Sequence, residues 1–176
     1  MSKIGVLGAG TWGTALARVL CINGHEVSVW SAVASEVEEY ARTRKHPNLP
    51  GMEIPDAIVY THSLEEVCSG KDLVMFAVPS VYIRSVAAQA RPYIQDGQLI
   101  VSVAKGLESG SLFTMTQVIF DELRRDGQHN TVCMAALSGP THAEEVALDQ
   151  PTAIVAASLE PAAARKVQSL FMNGSI

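Results

Sequence analysis

Residues 3–20 read KIGVLGAGTWGTALARVL. The apolar run Ile4–Leu7 predicts a strand. Gly8-Ala9-Gly10-Thr11-Trp12-Gly13 follows, and then a run rich in Ala and Leu that predicts a helix. This is GxGxxG between a strand and a helix, a context that marks a dinucleotide-binding fingerprint. Each glycine has a physical reason. Gly8 permits the tight turn, Gly10 lets backbone approach a pyrophosphate, and Gly13 lets the helix pack closely on the strand. The first-turn N–H groups of the helix, with its dipole, favour the negative charge of phosphates.

Outward from this segment, strands alternate with helices. Glu26–Trp30 predicts a second strand, Ala57–Tyr60 a third, and the continuous apolar run Asp72–Val78 a fourth. Gln98–Ala104, Thr131–Leu137 and Ala153–Ala157 complete seven strands. Continuous apolar runs belong to strands buried on both faces of a parallel sheet. Capping boxes at Ser35–Glu38, Ser63–Glu66 and Thr141–Glu144 predict helix starts. Ser80 is read as the cap of a helix that Pro92 ends. Met115, Val118, Ile119 and Leu123 give Ser111–Arg125 one apolar face, and Pro161–Phe171 predicts the last helix. Thr43–Pro55, with three prolines and Gly51, is too punctuated for regular structure. The order predicts an α/β fold, a doubly wound and mostly parallel sheet in a single domain. Ligands then bind beyond the carboxyl ends of the strands, at the switch in strand order. The loops at Gly8–Gly13, Ser31–Val33, Pro79-Ser80, Lys105-Gly106 and Ser138–Thr141 should gather there.

The chain has 176 residues, 48% hydrophobic, and a net charge of −5. One domain of ordinary size fits this length. Acidity without a basic block gives no electrostatic case for a nucleic-acid partner. No apolar run reaches membrane-spanning length. The N-terminus enters a strand at once, which leaves no room for a signal peptide. Cys21, Cys68 and Cys133 are far apart and lie in apolar or helical stretches. They read as reduced structural thiols of a cytoplasmic protein, and no His/Cys spacing suggests a metal site.

The end of the second strand normally selects the nucleotide, with an acid for ribose hydroxyls or an Arg for a 2′-phosphate. Here it is Ser31-Ala32-Val33. The nearest acid, Glu36, is already on a helix, while Arg42, Arg44 and Lys45 lie further on and either fold back or form a solvated turn. NAD and NADP both stay open. Lys105 follows an apolar strand and precedes a glycine at the predicted cleft; it is either an exposed turn lysine or an ammonium that binds a phosphate or polarises a carbonyl. Ser138-Gly139-Pro140-Thr141 ends another strand. Thr141 reads as an N-cap or as a substrate contact. His142 lies beside this loop and is read as a capping-region bystander. Trp12 can pack on the loop, line the nucleotide site, or do both.

Taken together, GAGTWGTALA, Val78-Pro79-Ser80, AKGLE at Ala104–Glu108 and SGPTHAEEVA at Ser138–Ala147 resemble bacterial NAD(P)-dependent glycerol-3-phosphate dehydrogenases. The ordered set spans nearly the whole chain. The resemblance implies a Rossmann domain and reversible reduction of dihydroxyacetone phosphate to sn-glycerol 3-phosphate, a reaction that serves phospholipid synthesis. It implies cofactor contacts at Thr11, Trp12, Ala32, Pro79, Lys105 and Ala143, beside Gly8, Gly10 and Gly13. It implies contacts to a small phosphate substrate at Lys105, Gly139 and Thr141, and a homodimer for the full-length enzyme. Two departures stand out. Ala32 replaces the Arg or polar side chain common in the family. The family's second, helical domain, with its general acid/base lysine, has no match in these residues.

Two other readings stay open on sequence. One is a 6-phosphogluconate dehydrogenase-like enzyme acting on a hydroxy acid, which shares the Gly-rich loop but not AKGLE or SGPTHAEEVA. The other is a non-catalytic dinucleotide-sensing module. Hydride transfer needs near-attack geometry and excluded water. A lone Rossmann domain leaves one wall of its cleft open, so these 176 residues are expected to bind nucleotide but to turn over poorly.

Overall fold

Seven strands and seven α-helices alternate along residues 1–176, all of which the computed structural model describes. The strands are β1 (Lys3–Leu7), β2 (Glu26–Trp30), β3 (Val59–Thr61), β4 (Leu73–Phe76), β5 (Leu99–Ser102), β6 (Cys133–Ser138) and β7 (Val155–Ala157). They form one sheet in the order β3-β2-β1-β4-β5-β6-β7. The first six pair in parallel; β7 runs antiparallel to β6 at the edge. The helices are α1 (Thr11–Ile22), α2 (Ala34–Thr43), α3 (Leu64–Cys68), α4 (Ile83–Ala90), α5 (Met115–Leu123), α6 (Ala143–Ala147) and α7 (Pro161–Phe171).

The two-residue period of the strands divides the core. Ile4, Val6, Val27, Val29, Leu73, Met75, Leu99 and Val101 point into one apolar cluster, with Ala15, Leu16 and Leu20 of α1 and Val167 and Phe171 of α7. Leu7, Trp30, Val74, Phe76 and Ile100 point the other way, against Val67 of α3, Ile83 and Val86 of α4 and Ile119 of α5. Helices thus cover both faces, as a parallel sheet requires. Chain direction turns outward on both sides of the β1–β4 pair. The loops after these strands therefore diverge and leave a crevice at their carboxyl ends.

The helix starts differ from expectation. Ser63 Oγ does accept from the Glu66 N–H, at 3.2 Å. Ser35 does not cap: α2 begins at Ala34, with Val33 as N-cap. Instead Ser31 Oγ accepts from the Val33 N–H, a tight side-chain turn one strand-end earlier. Thr141 is not the cap of α6 either; His142 holds that position, and the Thr141 N–H turns back on the Gly139 carbonyl at 3.0 Å. Ser80 lies within a short 3-10 turn, Ser80–Tyr82, that leads into α4. The helix expected from Ser111 starts at Met115, because Thr114 and Gln117 close a full capping box there.

Candidate cofactor and substrate cleft

An open cleft of about 910 Å³ lies at the carboxyl ends of β1, β2, β4 and β5. Its floor is the loop Gly8–Trp12, and its flanks come from Ser31–Val33, Val78–Ser80, Ala104-Lys105 and Thr141–Glu144. Such a volume is within the range of sites for small organic cofactors.

The Gly-rich loop is held from below. The Gly8 N–H donates to the Trp30 carbonyl at 2.9 Å, and Thr14 Oγ1 donates to the Ala9 carbonyl at 3.1 Å. Gly8 has φ +125°, and a Cβ there would lie 2.8 Å from the Ala77–Val78 backbone. Gly13 is buried, and a Cβ on it would collide with the Gly8 carbonyl oxygen. Its glycine serves helix–strand packing, and it does not line the cleft. Gly10 is different. Its φ of −68° suits any residue, and a Cβ would meet nothing within 4 Å. Nothing inside the chain requires glycine there, so the space is open for a ligand's close approach. Together with the N-terminus of the 12-residue α1, this fits the phosphates of a dinucleotide.

Trp12 lines the cleft and packs against the larger core cluster. Thr11, Ala32, Pro79, Lys105 and Ala143 also line the cleft. Lys105 is exposed, and its Nζ donates to the Gly139 carbonyl oxygen at 3.0 Å. This bond ties the loop after β5 to the loop after β6. Thr141, nearly buried, lines the cleft on that side. Gly139 lies one layer back, where a Cβ would come 2.7 Å from the Ala153 carbonyl oxygen. His142 is exposed on the cleft wall and makes no side-chain cap.

Four polar side chains on the cleft wall lie outside the site residues named from the sequence. Tyr82, Ser85 and Gln89 form one stripe along the 3-10 turn and α4, and Glu144 adds a carboxylate opposite. The stripe was legible: its spacing of three and four residues is complementary to the buried face Ile83, Val86, Ala87 and Ala90. Within AKGLE, Glu108 faces away from the cleft. It pairs with Arg84 through two bonds of 2.6 and 2.7 Å and accepts from Ser111 Oγ. These partners hold its carboxyl down at about 2. Arg84 also reaches Asp121 and Glu122 on α5, so the motif's acid fastens the loop to the helical layer.

Arg42, Arg44 and Lys45 do not fold back over the nucleotide end of the cleft. Arg44 donates to the Ile58 carbonyl at 2.8 Å and pairs with Asp56 at 3.4 Å. At the end of β2 the charged wall residue is Glu36, which Ser31 Oγ engages at 2.6 Å. Behind the loop, His46 is buried, its ring 5.0 Å from that of Tyr40 and tilted to it by 36°. Its Nδ1 accepts from the Asn48 N–H, and the ring faces the Ala9 carbonyl. Burial pushes its basicity below the ordinary histidine value, against the opposing pull of Ala9, Glu36 and Glu39.

Comparison with known proteins agrees with this geometry. The family profile described as the NAD-dependent glycerol-3-phosphate dehydrogenase N-terminus matches residues 3–164. A glycerol-3-phosphate dehydrogenase (NAD(P)+) 2 of Lactobacillus delbrueckii subsp. bulgaricus is 60% identical over 173 residues, 98% of this chain and 51% of that protein. Its namesake (NAD(P)+) from Agathobacter rectalis is 43% identical over 174 residues, 98% of this chain and 50% of that protein. Among solved structures, glycerol-3-phosphate dehydrogenase of Coxiella burnetii superimposes with a TM-score of 0.87 at 32% identity, over 99% of this chain and 52% of that one. A UDP-D-ManNAc dehydrogenase from Pyrococcus horikoshii, 14% identical with a TM-score of 0.78, shares the fold. The chain spans about half the length of the curated relatives it matches. With its profile match, its relatives and its glycine-floored cleft in agreement, the chain belongs to the NAD-dependent glycerol-3-phosphate dehydrogenase family, and it corresponds to the family's N-terminal region.

Proposed function

We propose that this chain is the nucleotide-binding half of an NAD(P)-dependent sn-glycerol-3-phosphate dehydrogenase of the cytoplasm. The reaction is reversible reduction of dihydroxyacetone phosphate, and the product feeds glycerophospholipid synthesis. The observation that carries the reading is Gly10. It is an open glycine on the cleft floor, free of any internal need for glycine, at the mouth of α1. A bound nicotinamide nucleotide supplies the hydride that reduces a ketone or accepts the one released by an alcohol.

The chain's own residues have separable roles in this reading. The N–H groups at the start of α1 hold the pyrophosphate, with Gly8 and Gly13 fixing the loop beneath. Trp12, Ala32, Pro79 and Ala143 shape the walls against the nucleotide. Lys105, Gly139 and Thr141 serve the phosphate-bearing substrate, with the Lys105 ammonium as a fixed point charge. The cleft is open along one side, so excluding water and supplying the general acid/base fall to residues outside this set. The active enzyme is proposed to be a homodimer.

A ligand panel tests the reading. With NADH present, dihydroxyacetone phosphate and glycerol 3-phosphate should raise the melting temperature further, since ligands of the folded state stabilise it. 6-Phosphogluconate and 3-hydroxyisobutyrate should not. A shift with the hydroxy acids and none with the triose compounds would overturn the substrate assignment.

A further inference from the structure

We infer that Glu36, held by Ser31, makes this cleft selective for NAD(H) over NADP(H). The inference rests on reading the cleft as the nicotinamide nucleotide site. The wall at the end of β2 is built from Ser31, Ala32, Val33 and Glu36. The Ala32 side chain offers no cation and no hydrogen bond. Glu36 occupies the first turn of α2, and its Oε2 accepts from Ser31 Oγ at 2.6 Å. Ser31 is itself fixed: it is buried, and its Oγ accepts from the Val33 N–H at 3.1 Å. The carboxylate is thereby positioned at the cleft wall, while its second oxygen, Oε1, takes no hydrogen bond within the chain.

That free oxygen is an acceptor for a ribose diol. For a 2′-phosphate it is a like charge in place of a partner. The cations of the neighbouring segment do not offset it. Arg44 is bound to the Ile58 carbonyl and Asp56, and neither Arg42 nor Lys45 lines the cleft. The lysine that does line it, Lys105, stands at the end of β5, three strands away in the sheet, and is bonded to Gly139. A helix-borne acid thus takes the place usually held by one at the strand end, and Ser31 supplies the rigidity that a strand would give.

Fluorescence titration of the 176-residue chain with NADH and NADPH tests this. NADH should bind at least about tenfold more tightly, as expected for a charged acceptor exchanged for a like-charge clash. Glu36→Gln should bring the two affinities within about threefold by weakening NADH and strengthening NADPH. Ser31→Ala should shift the ratio in the same direction with Glu36 still present. NADPH binding as tightly as NADH to the unmodified chain would overturn the inference and leave the nucleotide site standing. No saturable binding of either nucleotide would overturn the inference together with the reading beneath it.

Discussion

Lys105 Nζ donates a hydrogen bond of 3.0 Å to the carbonyl oxygen of Gly139, joining the loops that follow β5 and β6. The ammonium has three donors, and this bond uses one. Because the lysine is exposed, the bond adds little to stability; it fixes where the charge sits. Lys105→Ala should therefore leave the melting temperature nearly unchanged. In calorimetric titrations it should weaken glycerol 3-phosphate binding to the NADH-loaded chain by at least about tenfold, and NADH binding much less. Equal loss of both ligands would mark Lys105 as a structural residue.

Gly10 and Gly13 share one motif and should respond oppositely to alanine. At Gly10 a Cβ meets nothing within 4 Å, so the fold should tolerate the change. The methyl would project into the space of the phosphates, and NADH affinity should fall by at least about tenfold. At Gly13 the methyl runs into the Gly8 carbonyl, and the fold should lose about 1–3 kcal/mol, as overpacked sites do. Urea denaturation paired with nucleotide titration separates the two cases. Normal affinity in Gly10→Ala would remove the main support for the phosphate position.

His46 should give the fold a pH dependence near neutrality. Burial lowers its folded-state value below that of the unfolded chain, about 6.5. Between those values the unfolded state binds more protons, so stability rises with pH. The contribution is complete above about 6.5 and is lost as pH falls toward the folded-state value. Protonation would also set an N–H against the Asn48 N–H at Nδ1. Urea midpoints measured from about pH 5 to about pH 7.5 should slope upward, and His46→Gln should flatten the slope. An unchanged slope in the variant would assign it to other groups.

A second limb is expected in acid. The Arg84 guanidinium and Ser111 hold the Glu108 carboxyl at about 2, against an ordinary value of 4.5. A depressed carboxylate contributes stability above its unfolded value, and the contribution is lost as pH falls through the window toward about 2. Asp149, lowered by the Arg18 pair that ties α1 to the end of α6, acts in the same direction. Glu108→Gln should reduce the loss of stability between about pH 5.5 and about pH 3, read by denaturant midpoints. The same loss in the variant would contradict the role given to the Arg84 pair.

The sequence made the sheet legible because its strands carry strong signals. Ile4–Leu7 before GAGTWG, and the unbroken apolar runs of β4 and β5, have few other interpretations. Every strand was located, although β4 and β5 proved shorter than their apolar runs because the last apolar residues turn into the cleft loops. The caps were harder. Ser35 and Thr141 have the right spacing, but the N-caps are Val33, two residues before Ser35, and His142, one residue after Thr141. Gly139 takes the Thr141 N–H that the second of these boxes would have used, and Ser31 ties down Val33, the N-cap of α2. Glu108 looked like part of a ligand motif and is an anchor, since Arg84 is distant in sequence and only packing of α4 on α5 brings them together. The stripe Tyr82, Ser85 and Gln89 was available from helical periodicity alone.

The central claim is that the Gly8–Gly13 loop binds a nicotinamide dinucleotide, and thermal or chemical denaturation with increasing NADH tests it most directly. Stabilisation should grow as RT ln(1 + [L]/Kd), reaching about 2.7 kcal/mol at a hundredfold excess over Kd, and at the same NADH concentration Gly10→Ala should lower it by at least about 1.3 kcal/mol. Stability that does not change with millimolar NADH or NADPH would contradict it.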